Sequence, residues 1–228
     1  MKSPCSACCV GVLTCSFGLA MLVSSGESSA SAVQPGTIAV APKDFRVVER
    51  ESGPVNYYRI MTEGQTSFVR GEYHPGLATV VLGFQIPDSD AAKVRSLTWR
   101  WRAITLPQGG DGCTSGKRDS AATVYLTWKR ALRWYTIKYV WTTVGTKGAL
   151  CDKKRNPLVA QDTVVQEVGA PLEWRSESID LPGEFRRHFA GGDANADVPD
   201  FKGIAIMTDG DDTKSESAAD YADFVFSR

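Results

Sequence analysis

Six carboxylates fall within fifteen residues near the end of the chain: Asp209, Asp211, Asp212, Glu216, Asp220 and Asp223, opposed only by Lys214. Oxygen donors this dense can hold a hard cation, work as an acid–base pair, or bind the hydroxyls of a sugar. A solvated turn whose Asp side chains cap backbone N–H groups accounts for two or three of them more easily than for six. The run Asp209-Gly210-Asp211-Asp212-Thr213 opens like a calcium loop, with Asp220 at its twelfth position. An EF-hand needs glycine at the sixth position, where Lys214 stands, and helices on both flanks, where strands are expected. That motif is excluded. An oxygen-rich Ca²⁺ site of another kind on Asp209, Asp211 and Asp223 stays open. So does a glycosidase-like pair, Asp209 with Asp119 or Asp211, which needs two carboxyls about 5–10 Å apart and one held protonated.

A second constellation is aromatic and basic: Trp99, Arg100, Trp101, Arg102, Tyr125, Trp128, Trp134, Lys138, Tyr139 and Trp141. All lie on neighbouring predicted strands, and one face of those strands must be core. The other would carry Arg100, Arg102, Tyr125 and either Lys138 or Tyr139. Aromatic rings stack on the apolar faces of sugars, while Arg, Lys and Asp bind the hydroxyls, so a concave sheet face of this composition makes a carbohydrate groove. Cross-strand ion pairs and cation–π contacts give the same composition with no ligand. The expected ligand-binding set is Arg100, Arg102, Asp119, Tyr125, Lys138, Tyr139, Trp141, Asp209, Asp211, Asp212 and Thr213.

Other chemistries find little support. There is no Gly-x-Ser-x-Gly elbow, no Walker loop and no dinucleotide fingerprint. The two histidines, His74 and His188, read as surface or half-buried side chains, and neither stands at zinc-ligand spacing from a cysteine.

The elements that must position these residues are mostly strands. Leu97 to Ala103 alternates cleanly, with Leu97, Trp99 and Trp101 on one face and Thr98, Arg100 and Arg102 on the other. Residues 121–128 and 133–141 follow as a hairpin. Further strands are expected at 56–60, 67–73, 77–86, 162–168, 174–180, 201–208 and 221–226. One short helix is expected over 182–189, with Phe185 and Phe189 on one face and Gly191-Gly192 as its stop. Many short strands with turn residues between them read as an all-β, jelly-roll-like antiparallel sandwich.

The first 32 residues read as an export signal. Lys2 precedes an apolar run, Val10–Val23, too short to span a bilayer, and Ala30-Ser31-Ala32 gives a small-x-small cleavage pattern. Residues 33–228 are then a single domain, periplasmic or secreted. A lipoprotein at Cys15 is the weaker alternative, since Leu13-Thr14-Cys15 is a poor lipobox. Of the six cysteines, Cys5, Cys8, Cys9 and Cys15 leave with the signal. Cys113 and Cys151 remain and are expected to pair, closing a loop of about 39 residues worth about 4 kcal/mol. Removing Lys2 and Glu27 from 26 basic and 26 acidic residues keeps the charge at zero. That gives no electrostatic case for nucleic acid, and no second apolar run is long enough for a transmembrane helix.

The segments "LTWRWRAITLP", "DSAATVYLTW", "IKYVW" and "GIAIMTDGDDTKSESAADYADFVF" together resemble a bacterial exported family, the domain of unknown function numbered 3047. The resemblance covers roughly Asp44 to Phe226, and its last segment is the most specific. It implies a jelly roll similar to galactose-binding-like domains, whose last strand carries an aromatic-x-Asp element near a structural Ca²⁺; Tyr221 and Asp223 match that position. The family has an Arg before Val-Tyr where this chain has Thr123, which removes an anion-binding role from that position. Cys113 and Cys151 look like a subgroup feature. The family implies no activity.

The expected function is a non-catalytic binding module for a saccharide or other polar glycan. An Asp-based glycosidase-like enzyme and a structural domain of the cell envelope are the alternatives.

Overall fold

Alternating apolar residues have to be buried on one side, and two sheets facing each other do this for nearly every strand of the chain. A computed structural model describes residues 36–50 and 57–228, the side chains at 49 and 50 apart. The export signal expected over residues 1–32 lies outside the described residues. The strands run in the order β1 (Thr37–Val40), β2 (Arg46–Arg50), β3 (Tyr58–Glu63), β4 (Thr66–Tyr73), β5 (Val80–Gln85), β6 (Ser96–Thr105), β7 (Ala122–Arg130), β8 (Arg133–Thr142), β9 (Leu150–Arg155), β10 (Val159–Val168) and β11 (Arg175–Asp180), then helix α1 (Leu181–Phe189), β12 (Asp200–Met207) and β13 (Ser217–Ser227).

They form the expected jelly-roll-like β-sandwich. One sheet has six strands in the order β11-β6-β13-β4-β3, with β1 along the second half of β13. The other has seven, β2-β5-β12-β7-β8-β10-β9. Pairing is antiparallel throughout except between β8 and β10, which run parallel because β9 intervenes in the chain. Strands β1, β2 and β9 were not anticipated. The first two are short. The third reads "LCDKKR", the charged composition of an exposed edge strand.

The core lies between the sheets. Trp99 and Trp101 of β6, Trp128 of β7 and Trp141 of β8 are all fully buried. Trp101 meets Trp141 edge-on at 5.7 Å across the interface, and Phe201 of β12 meets Phe226 of β13 at 5.7 Å. Rings of this size bury about 150–250 Å² each. Helix α1 closes one end, setting Phe185 against Trp128 (5.8 Å) and Tyr135 (5.1 Å). Its stop is the expected one: Gly191 and Gly192 take φ of +63° and +84°, and the Gly192 N–H donates to the Arg186 carbonyl. Cys113, in the loop between β6 and β7, is bonded to Cys151 of β9 with a Cα–Cα distance of 5.4 Å. Among the described residues no helix is long and apolar enough to cross a membrane.

Candidate functional site

The acidic loop leaves the end of β12 and is stitched to the loop before β7. Asp209 donates its backbone N–H to the Ser120 carbonyl (3.2 Å). Asp119, wholly buried, accepts hydrogen bonds from the N–H groups of Asp212 (3.2 Å) and Thr213 (2.6 Å) and from the Thr213 hydroxyl. Asp212 in turn accepts from the Arg118 N–H at 3.0 Å. Gly210 is forced to be glycine, since a Cβ there would sit 2.1 Å from the Ser215 carbonyl oxygen. The result brings Asp119, Asp209 and Asp211 together, with oxygens that all lie within 4.8 Å of one another.

No described arginine, lysine or histidine forms an ion pair with these three. Burial, and then the charges of Asp211 and Asp119, push the Asp209 carboxyl up to about 7. Burial also raises Asp119, against the hydrogen bonds it accepts. Asp209 binds its proton more tightly folded than unfolded, so its contribution is full below the unfolded value and is lost as pH rises through about 7. Asp209→Asn should therefore flatten the fall in melting temperature between about pH 5 and pH 8. An unchanged slope would mean that the carboxyl is solvated. His188 adds to the same fall in wild type. Burial opposes its charge, but bonds to Glu184 (3.3 Å) and Asp162 (2.8 Å) raise it overall. It clamps α1 to β10 and is no surface residue, whereas exposed His74 pairs with Glu216 at 3.1 Å.

The remaining expected site residues separate. Arg100 and Arg102 lie on the outer face of the six-stranded sheet. Tyr125 and Lys138 lie on the outer face of the seven-stranded one, paired across β7 and β8. The reason is topological: β6 and β7 belong to different sheets, so their polar faces point away from each other. The arginines therefore do not neutralise Asp209. Arg102 Nε meets Asp220 at 2.7 Å, and Arg100 meets Asp223 at 2.5 Å. Asp223 sits in a bulge of β13 with φ +54°, on that salt bridge and not with Asp209 and Asp211. Its neighbour Tyr221 is buried and donates its hydroxyl proton to the Met207 carbonyl, fixing the end of β12. Tyr139 and Trp141 face the core. The Tyr139 hydroxyl donates to Glu184 (2.7 Å) and the Trp141 indole N–H to the Gly169 carbonyl (2.7 Å).

The outer face of the seven-stranded sheet holds a groove that the expected set missed. Its volume is about 440 Å³. Gly203, Ala205 and Thr127 form the floor; Val48 stands on one side, Trp134 and Lys129 on the other. Gly203 is held to glycine by the bulge of β12, where a Cβ would lie 2.1 Å from the Phe84 carbonyl oxygen. Trp134 is 40 % exposed, with the Lys129 ammonium 4.4 Å from its ring centre. Alternation with buried Tyr135, Ile137, Tyr139 and Trp141 is the signal that places Trp134 on this outer face.

The model of DUF3047, a protein family of unknown function, matches residues 47–225. No curated protein matches the sequence. Solved structures similar to the chain include the xyloglucanase domain of NopAA, a type three effector from Sinorhizobium fredii, in complex with cellobiose, at 12 % identity and TM-score 0.45 over 86 % of this chain and 100 % of that one. The family 11 carbohydrate-binding module of the Clostridium thermocellum cellulase Lic26A-Cel5E aligns at 7 % identity and TM-score 0.37, covering 86 % and 89 %. Endoglucanase 3 of Trichoderma harzianum, from family GH12, aligns at 9 % and 0.38, covering 86 % and 99 %. At these identities the likeness is one of fold alone.

Proposed function

The chain belongs to the DUF3047 family, and we propose that it is an exported, non-catalytic module that binds a saccharide on the outer face of its seven-stranded sheet. The observation that carries this reading is Trp134. A large ring left 40 % exposed on a sheet face, beside a floor of small residues, can stack on a flat apolar surface. One face of a sugar ring is such a surface, and Thr127, Gln85 and Lys129 around the groove can meet its hydroxyls. Among the described residues, none of the side chains lining the groove is a carboxylate. Residues 33–228 as the mature domain, and export itself, belong to the same proposal; N-terminal sequencing of the protein outside the cytoplasm should read Val33-Gln34-Pro35.

Affinity electrophoresis through gels containing different soluble polysaccharides tests the binding. At least one polymer should retard the protein, and Trp134→Ala should weaken that retardation tenfold or more while leaving the melting temperature nearly unchanged. Retardation by none, or equal retardation of the variant, overturns the reading. In this reading Asp119, Asp209 and Asp211 would hold a Ca²⁺ ion, because their oxygens converge within 4.8 Å. The raised Asp209 carboxyl beside Asp119 favours a second reading, a glycosidase-like pair. Release of reducing ends that Asp209→Asn abolishes would establish it.

A further inference from the structure

Three lysines share the outer face of the seven-stranded sheet. Lys129 on β7 stands opposite Trp134, Lys138 on β8 opposite Tyr125, and Lys154 on β9 opposite Gln161. Gln161 is itself opposite Thr136, in line with Trp134 and Lys138 along β8, so all three point the same way. Strand spacing puts the Lys138 Cα roughly 12–14 Å from those of the other two.

Several long cations of the molecule find acids: Arg70 and Arg102 on Asp220, Arg100 on Asp223, Lys147 on Glu167, Arg155 on Asp162. Among the described residues these three lysines do not. Two acids near them are engaged by other groups. Asp200, in register with Lys129, lies 3.5 Å from Lys202, and Asp152 takes Arg118 (3.4 Å) and the Gln161 amide (3.2 Å). Lys138 is half-buried, its ammonium 5.5 Å from the Tyr125 ring centre. Burial pushes it below the ordinary lysine value, and Asp152 and Asp209 oppose that only at longer range. A cation placed there lowers stability unless an anion joins it.

We infer that the ligand of this face is an acidic saccharide, a polymer of uronic-acid units, an inference that rests on the saccharide reading above. A uronic residue presents both an apolar ring face, which suits Trp134, and a carboxylate, which suits an ammonium point charge. A polyphosphate backbone fits less well, since nucleic-acid-binding domains are basic overall and this chain has zero net charge.

Isothermal titration with matched polymers is the test: β-1,4-glucan against β-1,4-glucuronan oligomers, mannan against mannuronan, and galactan against galacturonan. In one pair the uronic partner should bind at least tenfold tighter at low salt. The advantage should shrink at 0.5 M NaCl, where the Debye length drops to a few ångströms. Lys129→Met/Lys138→Met/Lys154→Met should abolish it, bringing the affinities of the two partners together. Should the triple variant fail to fold, Lys129→Met and Lys154→Met, at accessible positions, must each remove part of it. Equal, salt-insensitive binding of both partners that still depends on Trp134 overturns the acidic assignment and leaves the saccharide reading standing. Binding of no polymer removes both, and so does tighter binding of a thymidine oligonucleotide than of any uronic polymer.

Discussion

Asp220→Ala should cost about 3–5 kcal/mol, the penalty for breaking a buried charge cluster from one side. Asp220 is wholly buried in the middle of β13. Its carboxylate accepts from Arg70 Nε (2.6 Å), a second Arg70 N–H (2.8 Å) and Arg102 Nε (2.7 Å). Both guanidinium groups lie over the Phe68 ring, Arg102 also over Trp174 at 4.6 Å, and Arg102 reaches out to Glu63 at 2.6 Å. Removing the carboxylate leaves two arginines over an apolar ring with, among the described residues, only Glu63 and Glu72, both partly open to solvent, as acidic partners. For a domain of this size the melting temperature should fall by roughly 6–20 °C, at about 2–4 °C per kcal/mol. Asp223→Ala is the internal control. Its pair with Arg100 is open to solvent on both sides, 34 % and 48 % exposed, and such a pair is worth about 1 kcal/mol at most. Equal losses from the two variants would contradict this assignment of roles.

Loss of the Cys113–Cys151 bridge should destabilise by about 4 kcal/mol on the chain-entropy account, given a sequence separation of 38. Its position makes the effect local as well as global. The bridge ties β9, an edge strand, to the same inter-strand loop that carries Asp119, and Asp119 anchors Thr213. The Cys113→Ser/Cys151→Ser variant should therefore unfold at lower denaturant, and its acidic loop should exchange backbone protons faster than the rest of the β12 end. Without reductant, wild type should show no alkylatable thiol after denaturation among residues 33–228. A variant as stable as wild type, with an equally protected loop, would show that other contacts hold that corner.

The alternation of residues made most strands legible, including which side of each is core: Trp99 and Trp101 inward, Arg100 and Arg102 outward. It carries no information about which sheet a strand joins. That is why two arginines and a Tyr–Lys pair, consecutive along the chain, end on opposite surfaces. The convergence of Asp119 with Asp209 and Asp211 was legible because strand ends gather loops at one rim. The fate of Asp223 was not, since it depends on a bulge that shifts the register of β13 by local backbone geometry. Asp220 was read as one more loop acid because β13 begins at Ser217, earlier than its aromatic residues announce. The groove beside Trp134 depends on Gly203, Ala205 and Val48, small or ordinary residues that mean something only once three strands lie side by side.

The six-stranded sheet is built around its strand farthest along the chain. β13 separates β6 from β4 and also carries β1, with Thr37 opposite Ser227. Until β13 has been synthesised, β3–β4, β6–β11 and β1 have no common partner, and half of the sandwich has nothing to assemble on. Contacts that span nearly the whole polypeptide form slowly. A growing chain of this topology stays open until β13 has left the ribosome, and a stop anywhere before Ser217 yields a product that cannot close.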